Sequence, residues 1–369
     1  MQYKTVKFSR KNQAEFIADL RKQVKNYFDT NNISIYGNTS MVFKTICMFT
    51  LFFVPYFLML FGVVTNPWLV LLMWVIMGFG TAGIGLSVMH DANHGAYSKN
   101  KYVNKYMSYV MNFVGASSFN WKIQHNILHH TYTNIEGMDE DIDPGIFMRL
   151  SPHAKHMKVH KLQHIYGWFL YGMMTFLWLT TKDFRQLVRY KKEGLLKTQK
   201  RSFGGVLTET IISKILYYAY ALVIPLVFIQ APWYIIVIGF FIMHYITGMV
   251  LGLIFQPAHV MPTSEYPIPD NMGNLENNWA VHQLYTTTNF APKSKLFSWY
   301  VGGLNFQIEH HLFPNICHVH YKKISKIVEA KAKEYGLPYH CKETFFAALV
   351  EHGKMLKALG QPQTQVQVA

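Results

Sequence analysis

The chain has 369 residues, half of them hydrophobic and 16% aromatic, with only 15% charged, against about 25% charged in an ordinary soluble domain. Its formal charge of +15 suits an anionic membrane face or nucleic acid, and the lack of any nucleic-acid motif leaves the membrane. Cys47, Cys317 and Cys341 are scattered without CxxC spacing, which argues against a disulfide framework or a zinc ribbon.

Residues 1–40 form a polar, basic N-terminal arm with no early apolar core, so a cleavable signal peptide is not expected. Four stretches then have the roughly 20 apolar residues that a bilayer crossing needs: 41–64, 67–89, 211–229 and 232–255. Residues 65–66 and 230–231 are the only connections within each pair, which predicts two tight hairpins. Pro67 and Pro232 fall in first helical turns, where a missing N–H does no harm. Residues 165–180 are apolar but borderline in length. They are expected to lie in the interface or against the bundle, since a fifth crossing would split the histidine clusters across the membrane. The reading is an all-α integral membrane protein with four transmembrane helices in two hairpins and a cytoplasmic helical cap holding a di-metal site. It divides into the arm, a membrane domain over 41–335, and a C-terminal extension over 336–369 whose Gln-rich tail after Gly360 is expected to be disordered. Lys and Arg crowd the arm, the middle segment and the tail but are missing from both tight turns. That asymmetry puts both termini and the non-membrane mass on the cytoplasmic side.

Three clusters dominate the polar sequence: HDANH from His90 to His94, HNILHH from His125 to His130, and QIEHH from Gln307 to His311. His259 stands alone just beyond the fourth apolar stretch. All of these meet the same membrane face. Neutral imidazole suits iron, zinc and copper. On a helix, residues four apart share a face, so His90 with His94 and His125 with His129 each approach one region. Adjacent residues diverge by roughly 100°, so His129 and His130, like His310 and His311, suit two neighbouring ions better than one. The Gln307 amide can ligate weakly, hold a metal-bound water or orient an imidazole.

These clusters, with His-Thr-Tyr-Thr-Asn after the second and Gly-Gly-Leu-Asn-Phe before the third, resemble the three histidine boxes of the membrane fatty acid desaturases. Leu-Phe-Pro follows the third box as in many members, and the resemblance runs from the first span to about residue 335. It implies an oxygen-dependent desaturase that introduces a cis double bond into a fatty acyl chain. The cofactors implied are two iron ions (Fe2+), with O2 as co-substrate and electrons from an external donor. His90, His94, His125, His129, His130, His310 and His311 carry over as ligands, with His259 as the family's extra histidine. Glutamine at the head of the third box resembles the front-end subgroup. Many of its members carry a fused cytochrome b5 domain with a His-Pro-Gly-Gly motif, which this sequence lacks, so a separate donor such as ferredoxin or cytochrome b5 is expected. Other partners implied are a fatty acyl substrate on a lipid, CoA or carrier protein, and membrane lipids. A lipid hydroxylase on the same scaffold is the alternative; a histidine-rich metal transporter would need ligands near the midplane, where only His244 lies.

Other polar residues have plainer readings. His153, His156, His160 and His164, interleaved with lysines, read as an interfacial basic helix, and His244 as bundle packing. His318 and His320 serve a neighbouring ligand or the surface. The acidic run over 139–143 caps a turn or meets a basic partner rather than ligating. Asp91 either bonds a ligand imidazole or faces the surface. Trp279, Tyr285 and Trp299 read as interface anchors.

Overall fold

The computed structural model describes residues 6–10 and 12–362; the expected tail beyond 362 lies outside the described residues. The chain forms two compact units, one from residues 39–123 and 168–252, the other from the N-terminal 38 residues with 124–167 and everything after 252.

The first of these is the membrane unit. Among the described residues, four helices are long and apolar enough to cross a bilayer: Thr39–Leu60, Pro67–Asn93, Phe203–Phe228 and Trp233–His259. The first two are joined by a turn at Gly62, where φ is +71°. The Asn66 side chain then caps the second helix, accepting from Trp68 N at 3.0 Å and Leu69 N at 3.3 Å with Pro67 in the first turn. In their apolar cores the second and fourth helices are 61% and 50% buried, the first and third only 33% and 22%. The second and fourth are therefore central, and the exposed Val42, Phe43, Ile46, Ile212, Ile215 and Val227 make the lipid-facing surface that an apolar solvent permits.

The helix ends depart from the apolar boundaries read from sequence. The second helix runs on to Asn93 and the fourth to His259, because polar residues continue a helix wherever protein covers them. The third begins at Phe203, capped by Ser202, whose hydroxyl accepts from Gly205 N at 3.1 Å. Lys214 lies within it, and its ammonium is matched by Asp183 Oδ2 at 2.7 Å and the carbonyls of Trp178 and Gly115 at 2.6 and 3.1 Å. Such full pairing is what keeps a charge inside an apolar span. His244 is buried in the fourth helix against the Tyr217 hydroxyl, which is packing within the bundle.

The borderline stretch is helical from Gln163 to Gly172 and again from Met174 to Leu177. Gly172 and Gly248 let it press on the fourth helix: a Cβ on Gly248 would stand 2.6 Å from the Gly172 carbonyl oxygen. Thr175 Oγ1 donates to His244 O at 2.8 Å. The stretch thus packs on the bundle, one of its two expected positions.

The second unit is built around helix Ala14–Thr30. Its residues Phe16, Leu20, Val24 and Phe28 recur every fourth position and are buried against Val281, Leu284, Ile308, Leu312, Ile324 and Val328, an amphipathic face of helical period. Strand β1 (Lys7–Phe8) pairs in parallel with β2 (Asn274–Leu275), and β3 (Thr288–Phe290) with β4 (His340–Lys342). His153 and His156 lie outside any helix, whereas His160 falls in the short helical turn Lys158–Leu162 and His164 in the helix Gln163–Gly172 that follows. His153 Nε2 donates to Tyr266 O at 2.8 Å, His156 Nε2 to Gly360 O at 3.0 Å and His160 Nε2 to Ile146 O at 3.0 Å. Of a strip that looks periodic in sequence, only the second half is thus helical, and the first half is a loop bonded to two distant carbonyls.

Candidate metal centre

The second histidine cluster lies on a stretch of wide helical turns, Lys122–His129. Such π-type turns are rare and concentrate at functional sites. They alter the side-chain arithmetic, because with more than four residues per turn both the fourth and the fifth following residue return to the first one's side. The His125 and His129 rings accordingly stack with centroids 5.3 Å apart, while His125 and His130 meet edge-on at 4.7 Å. His310 and His311, on the short helix Gln307–Leu312, stand nearly perpendicular at 84°.

Two groupings result. His125, His130 and His310 bring their Nε2 atoms to 2.9–3.3 Å from one another. His129, His259 and His311 place ring nitrogens within 4.8 Å of one another, and so do His130, His310 and His311. His129 and His130 therefore serve different groupings, and His311 touches both.

What fixes these rings is the hydrogen bonding of their other nitrogens. A carbonyl only accepts, so His259 donates from Nδ1 to Thr286 O at 3.2 Å. Its Nε2 is left buried with no hydrogen-bond partner among the described residues. His311 Nδ1 donates to Gln283 Oε1 at 2.8 Å, an oxygen whose position is set because Gln283 Nε2 donates to His130 O at 3.3 Å. His129 Nδ1 lies 3.1 Å from both oxygens of Asp139, and His310 Nδ1 faces the Tyr321 hydroxyl at 3.3 Å. Protons held outward on Nδ1 of His259 and His311 leave lone pairs inward on Nε2, the tautomer that metal-ligating histidines adopt.

The inner spacing tests the fit. Nitrogens bound to one ion at about 2.1 Å stand about 3.0–3.4 Å apart at right or tetrahedral angles. The triad's 2.9–3.3 Å is that spacing. A donor set of imidazoles alone suits iron, zinc or copper rather than magnesium or calcium.

The acidic run does more than cap a turn. Asp139 is fully buried; its Oδ2 accepts from Asn134 N at 2.9 Å and its Oδ1 from Asp141 N at 2.9 Å. Burial pulls the His129 pKa down, but the Asp139 and Asp141 carboxylates pull it up further, to about 9. Burial likewise raises Asp139, and the His129 imidazolium more than offsets this, so its carboxyl sits below the usual range. Asn134 holds a left-handed φ of +59°, uncommon outside glycine. From there its side chain donates to His259 O at 2.9 Å and Glu265 O at 3.1 Å, joining box two to the end of the fourth helix.

Glu309, inside the third box, faces a different set of groups. Its carboxylate accepts from Asn289 Nδ2 at 2.8 Å and the Tyr339 hydroxyl at 3.0 Å, and burial pushes its pKa up to about 7. It thereby ties the box helix to β3, where Asn289 lies, and to Tyr339 beside β4. Gln307 is buried at the head of that helix, and its Nε2 has no hydrogen-bond partner among the described residues.

His90 and His94 belong to the membrane unit, at the end of its second helix. Their rings are 4.8 Å apart and both pack edge-on against Trp121. The carboxylate of Asp91 lies 3.8 Å from His90 Nδ1, beyond hydrogen-bond reach. His318 and His320 are buried in the other unit, where His320 Nε2 donates to Tyr36 O at 3.2 Å. Trp279 donates from its indole to His130 O at 2.9 Å, so it buttresses a box-two residue.

Apolar spans, wide-turn helices and inward-facing imidazoles together define a membrane oxidoreductase of the histidine-box type. The fatty acid desaturase family profile matches residues 66–343, and the chain belongs to that family. It is 34% identical to the sn-1 linoleoyl-lipid 6-desaturase of Arthrospira platensis over 95% of this chain and 94% of that protein. The sn-1 linoleoyl-lipid 6-desaturase of Synechocystis sp. is also 34% identical, over 96% of this chain and 98% of its own. The acyl-lipid (8-3)-desaturase of Physcomitrium patens is 35% identical over 96% of this chain and 74% of its own length.

Proposed function

We propose that this fatty acid desaturase acts with front-end regiochemistry on acyl chains of membrane lipids. The supporting relatives are named for lipid-linked acyl substrates, with bond positions given as 6 or (8-3). Two irons, in this reading, are held by His90, His94, His125, His129, His130, His259, His310 and His311, with Gln307 as a weak ligand or the holder of a bound water. His90 and His94 enter by the family motif, the other six also by their convergence. The observation that carries the metal assignment is the inward turn of Nε2 in rings whose Nδ1 atoms are bonded elsewhere.

Bound iron supplies the oxidising power that amino-acid side chains lack. Overall, one –CH2–CH2– unit, O2, two electrons and two protons give –CH=CH– and two waters. The protein's own part is positional. Gln283, Asp139, Thr286 and Tyr321 hold the imidazoles in the ligating tautomer, and burial of all six converging rings excludes water from the reacting carbons. Electrons arrive singly from a separate donor such as ferredoxin or cytochrome b5. The distribution of Lys and Arg supports a cytoplasmic position for both termini and the metal centre.

Expression in a host of defined lipid composition tests the reading. A loss of about two mass units in position-mapped fatty acids, abolished by His129→Ala and His310→Ala in variants that still insert in the membrane, is the expected result. A gain of about 16 mass units would make the enzyme a hydroxylase, and unaltered activity in both variants would remove the ligand assignment.

A further inference from the structure

Strand β1, the start of helix Ala14–Thr30 and residues 274–280 enclose an open cleft of about 890 Å³. Its apolar wall is Val6, Phe8, Ile17 and Trp279, and its charged members are Lys7, Arg10 and Arg21, all three exposed. No acidic residue lines it among the described residues. The rim is fastened at Asn12, whose side chain donates to Glu276 O at 2.9 Å and whose carbonyl accepts from Asn278 Nδ2 at 2.5 Å.

The half-buried Trp279 connects this cleft to the metal centre. Its indole N–H donates to the backbone oxygen of His130, and His130 Nε2 stands 2.9 Å from His310 Nε2. The path from the indole to the His130 ring is thus one hydrogen bond and the covalent bonds of His130 itself. The reaction needs two electrons, and an acyl chain brings no carrier for them.

We propose that this cleft docks an acidic protein carrying a one-electron group, with Trp279 as the bridge through which the electron tunnels toward the centre; the proposal rests on the need for a separate donor argued above. The three cations lie on the strand, the segment after it and the helix, exposed and spread apart. That arrangement suits a broad acidic surface steered in by charge better than one phosphate, which calls for converging buried donors.

Binding of oxidised plant-type ferredoxin and of a soluble cytochrome b5 domain to the purified enzyme reads the surface without reference to turnover. At least one should bind saturably and lose affinity as salt rises. Combined Lys7→Glu, Arg10→Glu and Arg21→Glu should weaken that binding at least tenfold, flatten its salt dependence and raise the donor KM, with iron content kept. Trp279→Phe should lower donor-driven kcat about tenfold with little change in donor affinity. Unweakened donor binding by the triple variant, no donor binding by the unaltered enzyme, or a triple-variant defect confined to vesicles of anionic lipid would each overturn the proposal. Dithionite-driven single turnover by the unaltered enzyme tests the desaturase reading separately, because it bypasses the docking surface.

Discussion

His311 and Gln283 meet through a 2.8 Å hydrogen bond from Nδ1 to Oε1, and this one contact decides which nitrogen of His311 faces the centre. Gln283→Leu keeps the volume and removes the acceptor. Losing such an outer partner typically weakens metal binding about 10–100-fold. We expect that drop in iron occupancy under limiting iron, measured by elemental analysis, with partial rescue by Gln283→Glu, which still accepts. Full occupancy in the leucine variant would mean that the tautomer is set elsewhere.

Asp139 performs two tasks, accepting from His129 and capping the turn that begins at Glu140. Asp139→Ala should therefore lose iron affinity, again about 10–100-fold, and also about 1 kcal/mol of stability from the lost cap. Asp139→Asn keeps an oxygen for the cap, so the two losses should separate. Equal melting temperatures for the alanine and asparagine variants would contradict this division.

His352 is buried with Nδ1 donating to Val260 O at 2.8 Å, and burial pushes its pKa down to about 4. An unfolded chain protonates such a group near pH 6.5. Between these values the unfolded state binds more protons, so stability falls as pH drops from 6.5 toward 4 and is full above 6.5. The loss at pH 5 is roughly 2 kcal/mol from this residue. His352→Gln should flatten that part of the melting-temperature profile between pH 7 and pH 5. A profile of unaltered slope would exclude His352 as its source.

Gly248 leaves no room for a side chain against the Gly172 carbonyl. Close backbone approach at small residues is a principal source of helix association in membranes. Gly248→Ala is expected to lower detergent-solubilised thermal stability by several degrees, and Gly248→Leu to prevent recovery of folded protein. Gly204, with nothing near its would-be Cβ, should accept alanine without such a fall.

The existence and pairing of the spans were legible because about 20 apolar residues have few other uses. Their ends were not. Asn93 and His259 look like loop residues on hydropathy, while Glu209 and the pair Gly204 and Gly205 mask the eight residues from 203 to 210 that start the third helix. Histidine spacing singled out residues that the fold gathers, six of them in overlapping clusters, but it assumed ordinary α-helical turns. The wide turns over Lys122–His129 alter which neighbours share a side, and no local composition announces them. The partners of the rings were harder still. Gln283 lies 28 positions from His311 and Asn134 lies 125 from His259, so the folded chain alone reveals those contacts. The acidic run was half legible: its turn-capping role followed from composition, its hold on His129 did not.

His130 and His310 touch across 180 positions of chain. A ribosome making this protein therefore has all four apolar helices in place well before the third box exists. With His310 and His311 as ligands, as proposed, iron acquisition comes after insertion is complete. A product terminated just short of Gln307 would then settle in the bilayer without its third box, a defect that screens scoring membrane abundance alone would miss.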